Sequence, residues 1–155
     1  MTQKAALMAT MSRVRAEVEA FVAAHSAMPE AEIGGGWTLH DAVAHVALWD
    51  RMAVRKLVGA PLPDGEEVAS RTPWDLDTFN DTMRARWRDR PMAEVLAEFA
   101  TAYPPLVAAV RAADEVDCAP HGRVWTIIDE DNAGHYPHHF PVADPLLAMQ
   151  EGAGG

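Results

Sequence analysis

Residues 36–50 read GWTLHDAVAHVALWD, and this stretch predicts a long amphipathic helix. Thr38 is a favourable N-cap, and Asp41 three residues later completes a capping box. The helix should continue to about Val58, because Gly59 follows it and can end a helix in a left-handed conformation. Two apolar lines run along the helix at spacings of three and four: Leu39, Val43, Val46, Ala47, Val54 and Leu57, and Ala42, His45, Trp49 and Met52. His45 therefore lies in a line of residues of the buried type.

The same periodicity predicts an all-α fold around this helix. Other main helices are expected over residues 3–27, 91–113 and 124–139, and a shorter one over 74–89 begins after Thr72 and Pro73. Glycines 34–36 predict a flexible loop before Trp37, and residues 62–71 an acidic loop. Pro104 and Pro105 predict a bend in their helix, or its division in two. The expected architecture is a four-helix bundle with a short extra helix between the second and third main helices.

Composition limits the organisation and the partners of the chain. Its 155 residues predict one domain over 1–150, followed by a flexible glycine-rich tail over 151–155. The formal net charge of -10 disfavours nucleic acid and anionic membrane surfaces, which select basic patches. One cysteine, Cys118, excludes an internal disulfide and fits a reducing compartment. No signal peptide or membrane span is apparent, so we expect a soluble, cytoplasmic protein of bacterial type.

The late segment Gly134-His135-Tyr136-Pro137-His138-His139 contains three of the seven histidines. On a helix, His135 and His139 would lie on one face, one turn apart, and could bind one transition metal. His45 could supply a third ligand from a facing helix, and His138 is an alternative at the three-residue spacing. Three neutral imidazoles with one open position are typical of a catalytic site. Zinc, nickel, copper and iron all accept such ligands.

Several nearby side chains are candidates for supporting roles. Asp41 lies one turn before His45 and could orient its imidazole. Asp131 lies one turn before His135 and could orient that ring or act as a general base. Trp37 and Trp49 could line a pocket over the metal, although core packing is the commoner role of tryptophan.

Each histidine also has a simpler interpretation. A single histidine such as His45 on an apolar face is often a core residue bonded to a neighbour. The pair of His135 and His139 could instead form an exposed helix end near the last carbonyl groups. Pro137 cannot donate a hydrogen bond to Ala133, so it could distort the spacing between the two histidines.

A resemblance to a known family rests on two segments: residues 36–50, quoted above, and residues 132–139, which read NAGHYPHH. Together they resemble the DinB/YfiT-like superfamily of metal-binding four-helix bundles, and most closely its ClbS/DfsB-type branch. The resemblance implies a bundle with an unusual crossing connection and a divalent metal held by His45, His135 and His139. It also implies relatives among thiol-dependent transferases and isomerases and a protein that disarms an electrophilic genotoxin. Homodimers are frequent in the superfamily.

Three functional hypotheses follow. The leading one is a metal-dependent enzyme for stress protection or detoxification, which acts on a small electrophilic or thiol-linked substrate. It would use thiol transfer or hydrolysis, with a low-molecular-weight thiol as co-substrate in the first case and Asp131 as the candidate proton carrier. The second is a non-catalytic protein that sequesters a metal or small molecule in the same cavity. The third is an interaction module with structural histidines, whose role is dimeric packing.

Overall fold

The structure is a computed structural model, and it describes residues 1–60 and 76–153. Within these ranges the chain is mostly helical, so the predicted all-α class is confirmed. The helices are α1 (Gln3–His25), α2 (Leu39–Val58), α3 (Leu76–Trp87), α4 (Met92–Ala112), α5 (Arg123–Asp131) and α6 (Leu147–Ala153). Strands β1 (Glu32–Gly34) and β2 (Trp37–Thr38) form a small antiparallel hairpin, and 3-10 turns span Glu115–Cys118 and Tyr136–His138.

Helix α2 lies at the centre of the bundle and contacts α1, α3, α4 and α5. The predicted capping box is confirmed: the Thr38 hydroxyl accepts from the Asp41 N–H at 3.1 Å, and the Asp41 carboxylate accepts from the Thr38 N–H at 3.3 Å. Gly59 ends the helix in the left-handed region, with φ of 66°. Most members of the two predicted apolar lines are buried: Leu39, Ala42, Val43, His45, Val46, Ala47, Trp49 and Met52.

The other main helices agree with the prediction in order but not in every boundary. Helix α1 ends at His25, two residues before the predicted end. Helix α3 is the shorter helix between the second and third main helices. The acidic loop over 62–71 and the predicted helix start at Thr72, Pro73 and Trp74 lie outside the described residues. Helix α6 continues through residue 153, so it includes part of the predicted tail.

Helix α4 runs without interruption through Pro104 and Pro105, so the predicted division of this helix is wrong. Each proline removes one backbone hydrogen bond, to the carbonyl group of Ala100 or Thr101 respectively. The two prolines, Ala100 and Thr101 are all exposed, so water can donate hydrogen bonds to the two carbonyl groups that lack a backbone partner. The buried line on the other side of the helix consists of Val95, Phe99, Ala102, Leu106 and Val110.

Length and composition alone would allow α4, the single such helix among the described residues, to cross a membrane. This is weak evidence for a span, because a core helix of a soluble protein passes the same test. In this fold α4 packs against α1 and α2.

Arg15 on α1 is buried although it is charged; its exposed fraction is 3%. The guanidinium lies 3.1 Å from the carboxylate of Asp50, which is fully buried on α2. It also donates to the carbonyl of Phe99 on α4 at 2.6 Å and lies over the Phe99 ring. One side chain thus joins three helices of the bundle.

The Asp50 carboxylate also binds the segment that carries the late histidines. It accepts from the Asn132 amide at 2.6 Å and from the Tyr136 hydroxyl at 2.9 Å. Arg15 donates to the same hydroxyl at 2.9 Å. We call Arg15, Asp50, Asn132 and Tyr136 the buried polar network. Burial raises the pKa of Asp50 to about 6, although Arg15, Asn132 and Tyr136 all oppose that rise.

Replacement of Arg15 by methionine should lower the free energy of unfolding by about 3 kcal/mol or more, because it leaves Asp50 buried without its cation. The matched control is Arg13→Met, since Arg13 lies exposed on the same helix and its loss should cost less than about 0.5 kcal/mol. Urea unfolding followed by circular dichroism measures both. Equal losses in the two variants would show that the ion pair does not stabilise the fold.

Candidate metal centre

A glycine-rich hairpin brings Trp37 to the N-terminus of α2, where the sequence predicted a flexible loop. Gly34, Gly35 and Gly36 all have positive φ, a backbone conformation that side chains with a Cβ rarely adopt. The sequence therefore indicated the turn but not the pairing of its flanks. The hairpin places the Trp37 ring 4.9 Å from the His45 ring and 5.0 Å from the His139 ring, between centroids.

The predicted continuation of the last main helix into the histidines is wrong, because α5 ends at Asp131. Asn132 has φ of -130° and ψ of -102°, which takes the chain out of the helix. Gly134 then passes so close to Asp129 that a Cβ atom at this position would collide with the Asp129 backbone. Glycine is needed here for close packing, and this close approach sets the path of the histidine segment.

After this turn, the histidine segment forms a short 3-10 helix over Tyr136–His138. Pro137 lies at its start, where the missing N–H of proline has little cost. The expected distortion at Pro137 is therefore a change from α-helical to 3-10 geometry. The next N–H groups are bonded normally: that of His139 donates to the Tyr136 carbonyl at 3.1 Å.

The three predicted ligands meet despite the missing helix. The Nε2 atom of His135 lies 3.0 Å from that of His139 and 3.2 Å from that of His45. One nitrogen from each residue lies within 4.8 Å of the other two. Two nitrogens bound tetrahedrally to zinc at about 2.1 Å lie roughly 3.3 Å apart. The donor set therefore fits a divalent transition metal.

The protonation state of the three imidazoles supports the same interpretation. The pKa of His45 is lowered to about 2, that of His135 to about 3 and that of His139 to about 4. Burial is the largest cause in each case, and neighbouring imidazoles oppose a further positive charge. All three rings are neutral at pH 7, the form in which histidine binds a metal.

Trp49 lies beside His45 and His135. Its ring centroid lies 6.3 Å from that of His45 and 6.0 Å from that of His135. Its indole N–H donates to the Asn80 side-chain oxygen at 3.3 Å, which links the site to α3. The two tryptophans thus lie next to the three histidines, and their role in lining a pocket over a metal stays a prediction.

A comparison with protein families gives one match. The family described as the mycothiol maleylpyruvate isomerase N-terminal domain matches residues 7–130. The chain belongs to this family. Because it is a DinB-like domain, the superfamily part of the predicted resemblance is confirmed, whereas the ClbS/DfsB-type branch stays a prediction. No curated protein and no solved structure matches the chain significantly.

The family match includes His45 but ends before His135 and His139. In this mycothiol maleylpyruvate isomerase N-terminal domain, two of the three converging histidines therefore come from the segment that follows the matched region. His138 lies in that segment too, but it is exposed, and its ring centroid is 6.2 Å from that of His135. It is not part of the converging group.

The two carboxylates predicted to support the histidines have other partners. Asp41 caps α2 and accepts from the Arg84 guanidinium at 2.8 Å. Asp131 is buried, and its carboxylate lies 2.6 Å from the Lys56 ammonium group. Burial raises the pKa of Asp131, while Lys56 opposes that rise. The roles of Asp41 in orienting His45 and of Asp131 in proton transfer stay predictions.

The buried polar network is the functional feature that the sequence reasoning missed. Tyr136 lies next to His135 and is fully buried, so the network fixes the backbone that carries this ligand. The sequence did contain an indication that Arg15 and Asp50 are buried. Arg15 follows Met11 by four residues and Asp50 follows Val46 by four, so both charged residues lie on buried helical lines.

The metal-free form of this protein should lose stability as the pH falls below about 6.5. Unfolded histidine binds a proton near that pH, whereas folded His45 has a pKa lowered to about 2, so protons favour the unfolded state between these limits. The expected cost for His45 is about 1.4 kcal/mol for each pH unit within that window.

Urea unfolding of chelator-treated protein at several pH values measures this slope. His45→Asn should have a shallower slope, while His25→Asn, at an exposed position on α1, should leave it unchanged. Equal slopes in the wild type and His45→Asn would contradict the lowered pKa.

Proposed function

We propose that this chain is a metal-dependent enzyme that acts on a small electrophilic or thiol-linked substrate. The observation that carries the proposal is the convergence of three neutral histidine nitrogens from His45, His135 and His139. An open cleft of about 510 Å³ adjoins them and leaves room for a small molecule.

The donor set favours zinc or nickel, and iron and copper accept the same ligands. An ion bound there would act as a Lewis acid and lower the pKa of a water molecule or thiol in its open position. His45 holds one donor on the rigid central helix, while the network around Tyr136 holds the other two. Trp37 and Trp49 flank these donors.

A low-molecular-weight thiol is the proposed co-substrate, because the family to which the chain belongs is named for a mycothiol-dependent isomerase. In thiol transfer, the sulfur would form a bond to the electrophilic carbon as the bond from that carbon to its leaving group breaks. The leaving group would depart with the bonding electron pair, and the thiol proton would pass to a base. Asp131 is the candidate base, and Lys56 next to it favours the carboxylate form. Hydrolysis would use the same donors. A role in detoxification or stress protection would follow from membership of the ClbS/DfsB-type branch.

A non-catalytic binding protein is the second candidate, and one observation favours it. Asp131, the proposed proton carrier, is buried and ion-paired with Lys56. With Asp131 held in this ion pair, the same cleft would hold a metal or a small molecule without turning it over.

We further propose that residues 1–150 form one cytoplasmic domain and that two copies associate. The single cysteine, which fits a reducing compartment, supports the first statement. The frequency of dimers among DinB-like proteins supports the second.

Protein purified without an affinity tag should bind about one equivalent of a transition metal. His45→Ala, His135→Ala and His139→Ala should each reduce this content at least tenfold, because each removes one of three donors. His138→Ala is the matched control and should retain the metal, since His138 lies outside the converging group. Elemental analysis after dialysis against zinc or nickel measures the content. A wild type that takes up neither metal would contradict the proposal.

The metal-loaded protein should accelerate the reaction of a small thiol with an electrophile such as monochlorobimane over many turnovers. His135→Ala should abolish the acceleration, and Asp131→Asn should reduce it about a hundredfold if this carboxylate carries the proton. Fluorescence of the conjugate measures the rate. Stoichiometric depletion of the electrophile without turnover would favour the binding protein instead.

A further inference from the structure

The cleft beside the three histidines has an acidic rim. Three carboxylates line it, from Asp129 and Glu130 at the end of α5 and from Asp144 in the loop before α6. Asn80 and His138 complete the polar part of the lining. We call the three carboxylates the acidic rim. Its members lie on the same cleft as the proposed metal ligands, so a molecule bound to the metal would pass beside them.

The charge of the acidic rim is not neutralised within the described part of the chain. There, none of its members forms an ion pair with lysine or arginine, and neither residue type lines the cleft. Asp144 accepts from the backbone N–H of Leu146 at 2.9 Å and otherwise faces solvent. The pKa of Asp129 is raised, first by burial and then by the negative charges of Asp144 and Glu130. The carboxylates repel one another and would gain from a bound cation.

The net charge of the whole molecule adds to the negative electrostatic potential of the acidic rim. The chain has a net charge of -10, so a cation is attracted and an anion repelled during diffusion to the cleft. A divalent metal bound by the three histidines would add two positive charges, and a bound thiolate would cancel one of them, so the three ionised carboxylates would still leave the cleft negative. The acidic rim acts on the remainder of the bound molecule.

We infer that the cleft selects small molecules whose non-reacting part is cationic, such as an amine or quaternary ammonium group, over those that carry a carboxylate. The inference rests on the proposed function, because it names the substrate class of that same metal site. The acidic rim is then the specificity-determining feature, through electrostatic complementarity.

Three small thiols test this selection, since they share one sulfur donor and differ in charge: thiocholine is cationic, mercaptoethanol neutral and mercaptopropionate anionic. Each is titrated into cobalt-loaded protein, and the sulfur-to-cobalt absorption band reports binding without any need for turnover. The test variant is the triple substitution Asp129→Asn, Glu130→Gln and Asp144→Asn. The matched control, Glu17→Gln, Asp114→Asn and Asp117→Asn, removes the same charge on surfaces outside the cleft.

Wild type should bind thiocholine more tightly than mercaptopropionate, and the ratio of the two affinities should fall at least tenfold in the test variant. Each carboxylate at about 8 Å changes the affinity of a singly charged molecule about twofold in water. The control should keep the wild-type ratio, and added salt should reduce that ratio. Comparison of ratios between variants cancels the different intrinsic affinities of the three thiols for cobalt.

The outcomes separate the inference from the function on which it rests. A wild type that binds no cobalt would overturn the proposed metal site itself. Stoichiometric cobalt binding with the same affinity ratio in the wild type and the test variant would overturn the inference alone. An equal fall of the ratio in the test and control variants would also overturn it, because the effect would then come from net charge rather than from the rim.

Discussion

The buried ion pair between Arg15 and Asp50 is the interaction on which the rest of this structure depends. Both groups are removed from water at a high desolvation cost, which their mutual attraction offsets only when the remaining donors and acceptors are also paired. Here Asn132 and Tyr136 supply those partners, together with the Phe99 carbonyl. The pair is therefore a junction between α1, α2, α4 and the histidine segment.

This junction explains how the histidines keep a defined geometry outside a helix. After α5 ends, turn and 3-10 hydrogen bonds hold the backbone of residues 132–139 in place of a continuous α-helix. Tyr136 fastens this segment to the core, because its hydroxyl is bonded to Arg15, Asp50 and Asn132 at distances between 2.9 and 3.0 Å. A side chain fixed in this way fixes the backbone of His135 beside it. The position of these histidines thus follows from tertiary contacts rather than from helical spacing.

The features that could be predicted from the sequence depend on local spacing, and those that could not depend on tertiary contacts. Helix α2, its capping box and the inward position of His45 depend on residues within a few positions of one another, so they could be read directly. The hairpin before α2 and the early end of α5 depend on long-range packing. Tyr136 and Arg15 are 121 positions apart in the chain, and no local pattern predicts their contact. The three histidines converge although the helix from which their convergence was predicted is absent, since a 3-10 turn at Pro137 still brings His135 and His139 together.

Metal binding would resolve a conflict that the folded chain otherwise contains. Three Nε2 atoms face one another, and a neutral imidazole pair at such a distance needs one donor and one acceptor. The Nε2 atom of His135 has two such neighbours, His45 at 3.2 Å and His139 at 3.0 Å, but it carries either one hydrogen or one lone pair, so one of the two contacts must remain unmatched. Burial also prevents protonation from supplying the missing hydrogens near neutral pH. The core and the buried polar network hold the three histidines close together before any metal binds. A metal site requires this preorganisation. A divalent ion that accepts all three lone pairs would remove the conflict. The geometry is therefore explained better as a binding site than as a set of core histidines.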